Sequence, residues 1–183
     1  MKQTEDEVYI EKVKNGDSSS YSFLVNRYKD MAYTIALKIL RNHEDAEDAA
    51  QESFVKAYQQ LHTFQGNSKF STWLYTIVYR ISISKLQKNK VVSFTLDDHI
   101  SDNFSYDYSS PQLEQLQADE QQFFIKKAIQ KLPEADALLV TLFYLNENTI
   151  KEIEEITGLA SSNIKVKLFR ARKILEKELQ FLM

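Results

Sequence analysis

Carboxylates crowd one short stretch of this chain, with Glu44, Asp45, Glu47, Asp48 and Glu52 within nine residues and Gln51 among them. Such a cluster could serve acid–base catalysis, a cation, or a basic protein partner. Acid–base work needs a partner of shifted pKa or a nucleophile close by. No His, Cys, Lys or Gly-rich phosphate loop stands with these acids in a readable constellation. A metal would call for His at ligand spacing, but His43 precedes the acidic helix, and His62 and His99 stand alone. Helix capping accounts for two or three of the acids, because carboxylates in a first turn are favoured by the helix dipole. The surplus beside Ala46, Ala49 and Ala50 points to docking on a basic, helical partner. The expected chemistry is binding, with no catalytic residue, no metal and no cofactor.

Two further groups suit nucleic acid. Near the C-terminus, Asn163, Lys167, Arg170, Lys173 and Lys177 share one side of a helical wheel, flanked by Lys165 and Arg172. The opposite stripe is Ile164, Leu168, Ala171, Leu175 and Leu179. Asn and Arg pair with base edges in a major groove, whereas Lys, Ser161, Ser162 and backbone N–H groups hold phosphates; Phe169 shares the helix. An ordinary solvated helix face would look similar if the stripe stood alone. The second group runs from Phe64 to Tyr75. Asn67, Ser68 and Lys69 follow Gly66, with Trp73, Tyr75, Tyr79 and Arg80 beyond, so aromatic faces stand beside positive charge as single-stranded DNA requires. Phe70 and Trp73 taken singly also suit a core.

Helices must position all of these groups. Three Gly, two Pro and no Cys in 183 residues, with abundant Leu, Ile, Lys, Glu and Gln, predict an all-α protein with neither disulfides nor Cys-based zinc. No apolar run approaches a membrane span, and Met1 to Glu7 is unlike a secretory signal, so a soluble chain of the cytoplasm without membrane insertion is expected. Thr4 and Glu7 form a capping box for a first helix ending near Asn15-Gly16. Asp17 or Ser18 opens a second, which runs to about Leu40. Asn42 caps a third, with Ala46, Ala49, Ala50, Phe54, Ala57 and Leu61 inside. A fourth begins near Ser71 with Leu74, Ile77, Val78 and Ile81 inward. These four close a small bundle.

The net charge of −3 divides unevenly. Residues 1–90 carry +2, residues 91–120 carry −7 with no Lys or Arg, and residues 121–183 carry +2. The acidic, Ser-, Asp-, Asn- and Tyr-rich segment 91–110 reads as a linker ending at Ser110-Pro111. It serves either as a solubilising tether or as a mimic of nucleic acid. The expected domains are therefore 1–90 and 111–183. In the second, Ile150, Ile153 and Ile156 mark a short helix, Gly158 takes positive φ, and Ser161 or Ser162 caps the basic helix. That is a helix-turn-helix.

Four segments occur in a telling order: Asp45-Ala46-Glu47-Asp48-Ala49-Ala50-Gln51-Glu52-Ser53-Phe54, then Phe64 through Tyr75, then Leu132-Pro133, then Arg170-Ala171-Arg172 with Leu175. In this, nearly the whole chain resembles a bacterial extracytoplasmic-function sigma factor. The resemblance implies that helix 44–61 docks on the β′ clamp helices of RNA polymerase, with Asp45, Asp48, Gln51 and Glu52 matching that motif. It implies that residues 64–88 open the −10 element and hold a flipped base, and that the C-terminal module reads the −35 element as duplex beside the β flap. The tether would run toward the RNA exit path, and an anti-sigma factor is a common partner.

Some positions depart from the family pattern. Arg80 stands where Asn is frequent, Tyr79 where a basic residue is common, and Gln87-Lys88 replaces an Arg pair. An unusual −10 preference and fewer phosphate contacts are expected. Glu154 stands where a small residue lets the two helices of the turn approach, so either the helices splay or the carboxylate turns aside to a Lys such as Lys151. Three other classes share parts of this pattern: a helix-turn-helix regulator acting without polymerase, an enzyme, and a pure adaptor.

Overall fold

The computed structural model describes residues 4–93, 124–125 and 127–180, and every regular element among them is helical. α1 spans Glu5–Lys14 behind the expected capping box, in which Glu7 N–H donates to the Thr4 hydroxyl and Thr4 N–H to the Glu7 carboxylate at 2.9 Å. Asp17 caps a short 3-10 turn, and α2 follows over Tyr21–Leu40. It stops at Arg41, whose φ of 56° is left-handed. Asn42 caps α3, His43–Gln60, by accepting from Asp45 N–H at 2.9 Å. His43 is thus the first residue of that helix instead of preceding it. α4 runs over Phe70–Ser93, three residues past the expected domain edge. The remainder of the 91–110 linker, with Ser110-Pro111, lies outside the described residues.

The apolar periodicity placed the core of this bundle well. Ala46, Ala49, Ala50, Phe54, Ala57 and Leu61 of the α3 stretch are buried, as are Leu74, Ile77, Val78 and Ile81 of α4. The alanines are small enough for α2 and α4 to close on α3, so the acids between them are left outward.

In the second module α5, Glu134–Val140, starts after Pro133 and passes into a π-helical turn at Thr141–Leu145. Thr149 and Glu152 form another capping box for α6, Ile150–Thr157, and Gly158 ends it at φ 73°. α7 spans Ser161–Glu178 with Ile164, Leu168 and Ala171 buried. The serine caps expected there are not made. Ala160 is the N-cap, without a side-chain bond, and the Ser161 hydroxyl instead donates 2.7 Å to Glu154. That bond also answers the question of Glu154: its carboxylate lies at the N-terminal end of α7, where the helix dipole favours an anion.

The modules touch. α6 packs across α4 and α5 lies near α2. Two ion pairs span the seam, Lys69 to Glu152 at 2.8 Å and Arg41 to Glu134 at 3.3 Å.

Candidate DNA-facing and docking surfaces

Burial of Ile164, Leu168 and Ala171 sets the rotation of α7, and its solvent face is centred one step from where the basic residues alone put it. Val166 and Phe169 are 49% and 58% exposed, in the middle of that face. Ser162, Asn163, Lys165, Arg170 and Lys173 surround them and are also exposed. The Lys173 ammonium stands 4.8 Å from the centroid of the Phe169 ring. Lys167, expected at the centre, lies at the edge. Its amine is 3.2 Å from Oδ1 of Asp136, a carboxylate buried on α5. Ser161 is half-buried against Glu154. Arg172 donates from Nε and Nη2 to the Tyr144 hydroxyl at 3.1 and 2.6 Å, which pins it beside the π-turn. Val166 and Tyr144 carried no polar signal in the sequence. Only the wheel, recentred on the buried stripe, would have found Val166.

The 64–80 stretch divides into interior and surface. Phe64, Phe70 and Tyr75 are 7%, 3% and 1% exposed. Phe64 meets Phe70 at 5.8 Å and Trp73 at 5.3 Å between ring centroids, and the Lys14 amine donates to the Phe64 carbonyl at 2.8 Å. Phe64 and Tyr75 are therefore packed here, not presented for stacking; large aromatic area in a small bundle goes first to the core. The loop itself is open. Gly66 sits at φ 73°, Asn67 donates to Gln65 at 3.1 Å, and Lys69 and Arg80 are exposed. Ser68, Trp73 and Tyr79 are half-buried. Burial pushes the phenols of Tyr75 and Tyr79 above their ordinary range, so both stay neutral hydrogen-bonding groups.

On α3, Asp48, Gln51, Glu52 and Val55 recur at helical spacing and are all exposed, Val55 at 58%. Val55 is thus an exposed apolar side chain within that acidic face. Sequence reasoning named the polar members and missed Val55. Two of the acids also tie α3 to α4: Glu52 lies 3.4 Å from the Lys85 amine, and Asp45, half-buried, accepts from Asn89 at 3.0 Å. Among the described residues no group of three His, Cys, Asp or Glu could hold a metal ion, and no helix is long and apolar enough to cross a membrane.

Comparison with known proteins places both modules in one family. Residues 24–91 match the family model for sigma-70 region 2, and residues 113–175 match that for sigma-70 region 4. The chain is 33% identical over 182 residues to the ECF RNA polymerase sigma factor SigW of Bacillus subtilis, covering 93% of this chain and 95% of that protein. It is 29% identical over 185 residues to the ECF RNA polymerase sigma-E factor of Escherichia coli, covering 97% and 96%. Among solved structures, the sigma factor RpoE in complex with the anti-sigma factor NepR from Bartonella quintana aligns with a TM-score of 0.66 at 21% identity, covering 87% of this chain and 96% of that one. CnrH in complex with the cytosolic domain of CnrY aligns with a TM-score of 0.62 at 17% identity, covering 94% and 96%.

Proposed function

The chain belongs to the ECF sigma factors of the sigma-70 family, and from that premise we propose that it binds core RNA polymerase and selects promoters by reading two elements in different states. In this reading α7 lies in the major groove of −35 duplex. Arg170 and Asn163 meet base edges, Val166 and Phe169 meet apolar surface such as thymine methyls, and Lys165, Lys173 and Ser162 meet phosphates. The loop carrying Asn67, Ser68 and Lys69, with Trp73, Tyr79 and Arg80 behind it, engages the −10 element as its strands part. Asp48, Gln51 and Glu52, with Val55 among them, dock on polymerase at the β′ clamp helices, and the second module rests near the β flap. The protein directs another enzyme instead of performing catalysis, it works in the cytoplasm, and an anti-sigma factor holds it in check.

One observation carries this reading: the exposed face of α7 combines basic, amide and apolar side chains on a helix that follows a Gly-terminated turn. Residues 1–90 and 111–183 serve as the polymerase- and −10-binding domain and the −35-binding domain, joined by the 91–110 linker. Two modest contacts on one chain add through effective concentration. The test is transcription from host genomic fragments with purified core polymerase. Defined start sites that appear only when the chain is added are expected; no initiation above core polymerase alone rejects the proposal. A regulator acting without polymerase would instead shift duplex DNA on a gel as the free protein.

A further inference from the structure

The first helix of the bundle reaches the loop assigned to the −10 strand. Lys14, the last residue of α1, donates from its amine to the Phe64 carbonyl at 2.8 Å, 50 residues further along the chain. The same ammonium stands 5.9 Å from the centroid of the Phe64 ring, and the side chain is only 25% exposed. Glu11, one turn back on α1, lies 3.9 Å away and is itself 56% exposed, so its ion pair with Lys14 is comparatively weak.

Phe64 closes the short 3-10 turn Leu61–Thr63, where its N–H donates to the Leu61 carbonyl at 3.1 Å. Its carbonyl belongs to the peptide that begins the loop. Because a peptide is planar, a donor that fixes this oxygen fixes Phe64 ψ, 113° here, and with it the direction in which residues 65–69 leave the bundle. Those residues are mostly exposed, hold Gly66 at φ 73°, and return at Phe70, whose ring meets that of Phe64 at 5.8 Å. A loop so exposed takes its aim from its ends.

We propose that Lys14 is a positioning residue for strand opening: through the Phe64 carbonyl it sets where Asn67, Ser68 and Lys69 stand, and it acts on DNA only through them. The inference rests on the reading of that loop as the −10 contact. α1 is held firmly enough to serve as the anchor. Ile10 is buried, the Tyr9 ring stacks on Phe23 at 3.8 Å, and Arg27 of α2 lies 2.9 Å from Glu5 and 3.4 Å from Asp6, with Tyr28 hydrogen-bonded to Asp6.

Trp73 is the sole tryptophan of the chain, and its ring lies 5.3 Å from that of Phe64, so its fluorescence reports on the loop entry without a label. Lys14→Met keeps an unbranched apolar stem over the Phe64 ring and removes the donor and the charge; Lys14→Arg keeps both. In the full-length free chain, Lys14→Met should raise the acrylamide quenching constant of Trp73 about two-fold, with a melting temperature lower by no more than about 4 °C. With core polymerase it should slow promoter opening, followed by permanganate reactivity at the −10 element, about three- to ten-fold. Affinity for core polymerase and for −35 duplex should stay at the parent value. Lys14→Arg should recover most of the quenching and opening changes. Lys12→Met, which removes a neighbouring charge that lies over Tyr9 instead of Phe64, should cause neither.

Unchanged quenching or an unchanged opening rate in Lys14→Met overturns the inference, as does an Arg variant no better than the Met one. A loss shared equally by opening, polymerase affinity and −35 binding also overturns it, since Lys14 would then only support the fold. A parent chain that opens no promoter rejects the sigma reading itself; one that opens promoters at the same rate as its Lys14→Met variant rejects the positioning alone.

Discussion

The amine of Lys167 lies 3.2 Å from Oδ1 of Asp136, joining α7 to a carboxylate that is only 6% exposed on α5. A basic residue that looks ready for DNA is the counter-ion of a buried acid. Losing the lysine leaves that acid uncompensated, which typically costs more than a solvent-exposed pair contributes. Lys167→Ala is therefore expected to lower stability by about 1 to 3 kcal/mol. Asp136→Asn introduced with it should recover part of the loss. Chemical denaturation of the two variants checks both statements, and a double variant no more stable than the single would place the cost elsewhere.

Arg170 and Lys173 are free of such a duty. Arg170→Ala should weaken binding to −35 duplex by about 1 to 3 kcal/mol and relax preference at one base position, whereas Lys173→Ala should lower the salt slope by about one across all sequences. Fluorescence anisotropy over a salt series separates the two. Occupancy untouched in both variants would remove α7 from the groove.

Phe64 and Lys69 belong to one loop, yet truncation should act through different links. Phe64→Ala opens the Phe64–Phe70–Trp73 cluster and is expected to cost about 3 to 5 kcal/mol of stability, as large aromatic deletions do. Lys69→Ala should leave the melting temperature near that of the parent and reduce permanganate reactivity at the −10 element. Calorimetry and footprinting on the same preparations test the split.

Asp48→Lys and Val55→Asp change fully outward positions on α3 and should move stability by no more than about 0.5 kcal/mol. Affinity for core polymerase should drop at least ten-fold in each, because charge reversal and a buried new charge both oppose docking. A collapse of the melting temperature would mark either residue as structural.

Glu152 gives a pH dependence of defined sign. Burial pushes its carboxyl up, but hydrogen bonds from Lys69 and Thr149 and the Lys69 charge outweigh it and hold the group below its ordinary value of 4.5. A depressed folded value means that the contribution is complete above 4.5 and lost as pH falls through the lower value. Thermal melts across that interval should show a loss that Glu152→Gln reduces; equal slopes in the two proteins would contradict it.

Much of this architecture was legible because helical rules are local. Capping at Thr4 and Asn42, termination at Gly158 and the buried alanines of α3 follow from side chains within four residues of one another. The acidic face and the basic helix could be listed from spacing alone for the same reason. Three features lay beyond that range. The partner of Lys167 is 31 residues away, Lys69 meets Glu152 across the module boundary, and Phe64 and Tyr75 are withdrawn from the surface by neighbours on other helices.

Periodicity and capping thus determined, from the chain alone, which residues form helices and which side of each turns inward, since every turn of a helix repeats the same geometry. Which outward charges stay free for DNA and which are spent on the protein itself was decided only by tertiary packing. A cation has no preference between a phosphate and a carboxylate until the fold brings one of them within reach.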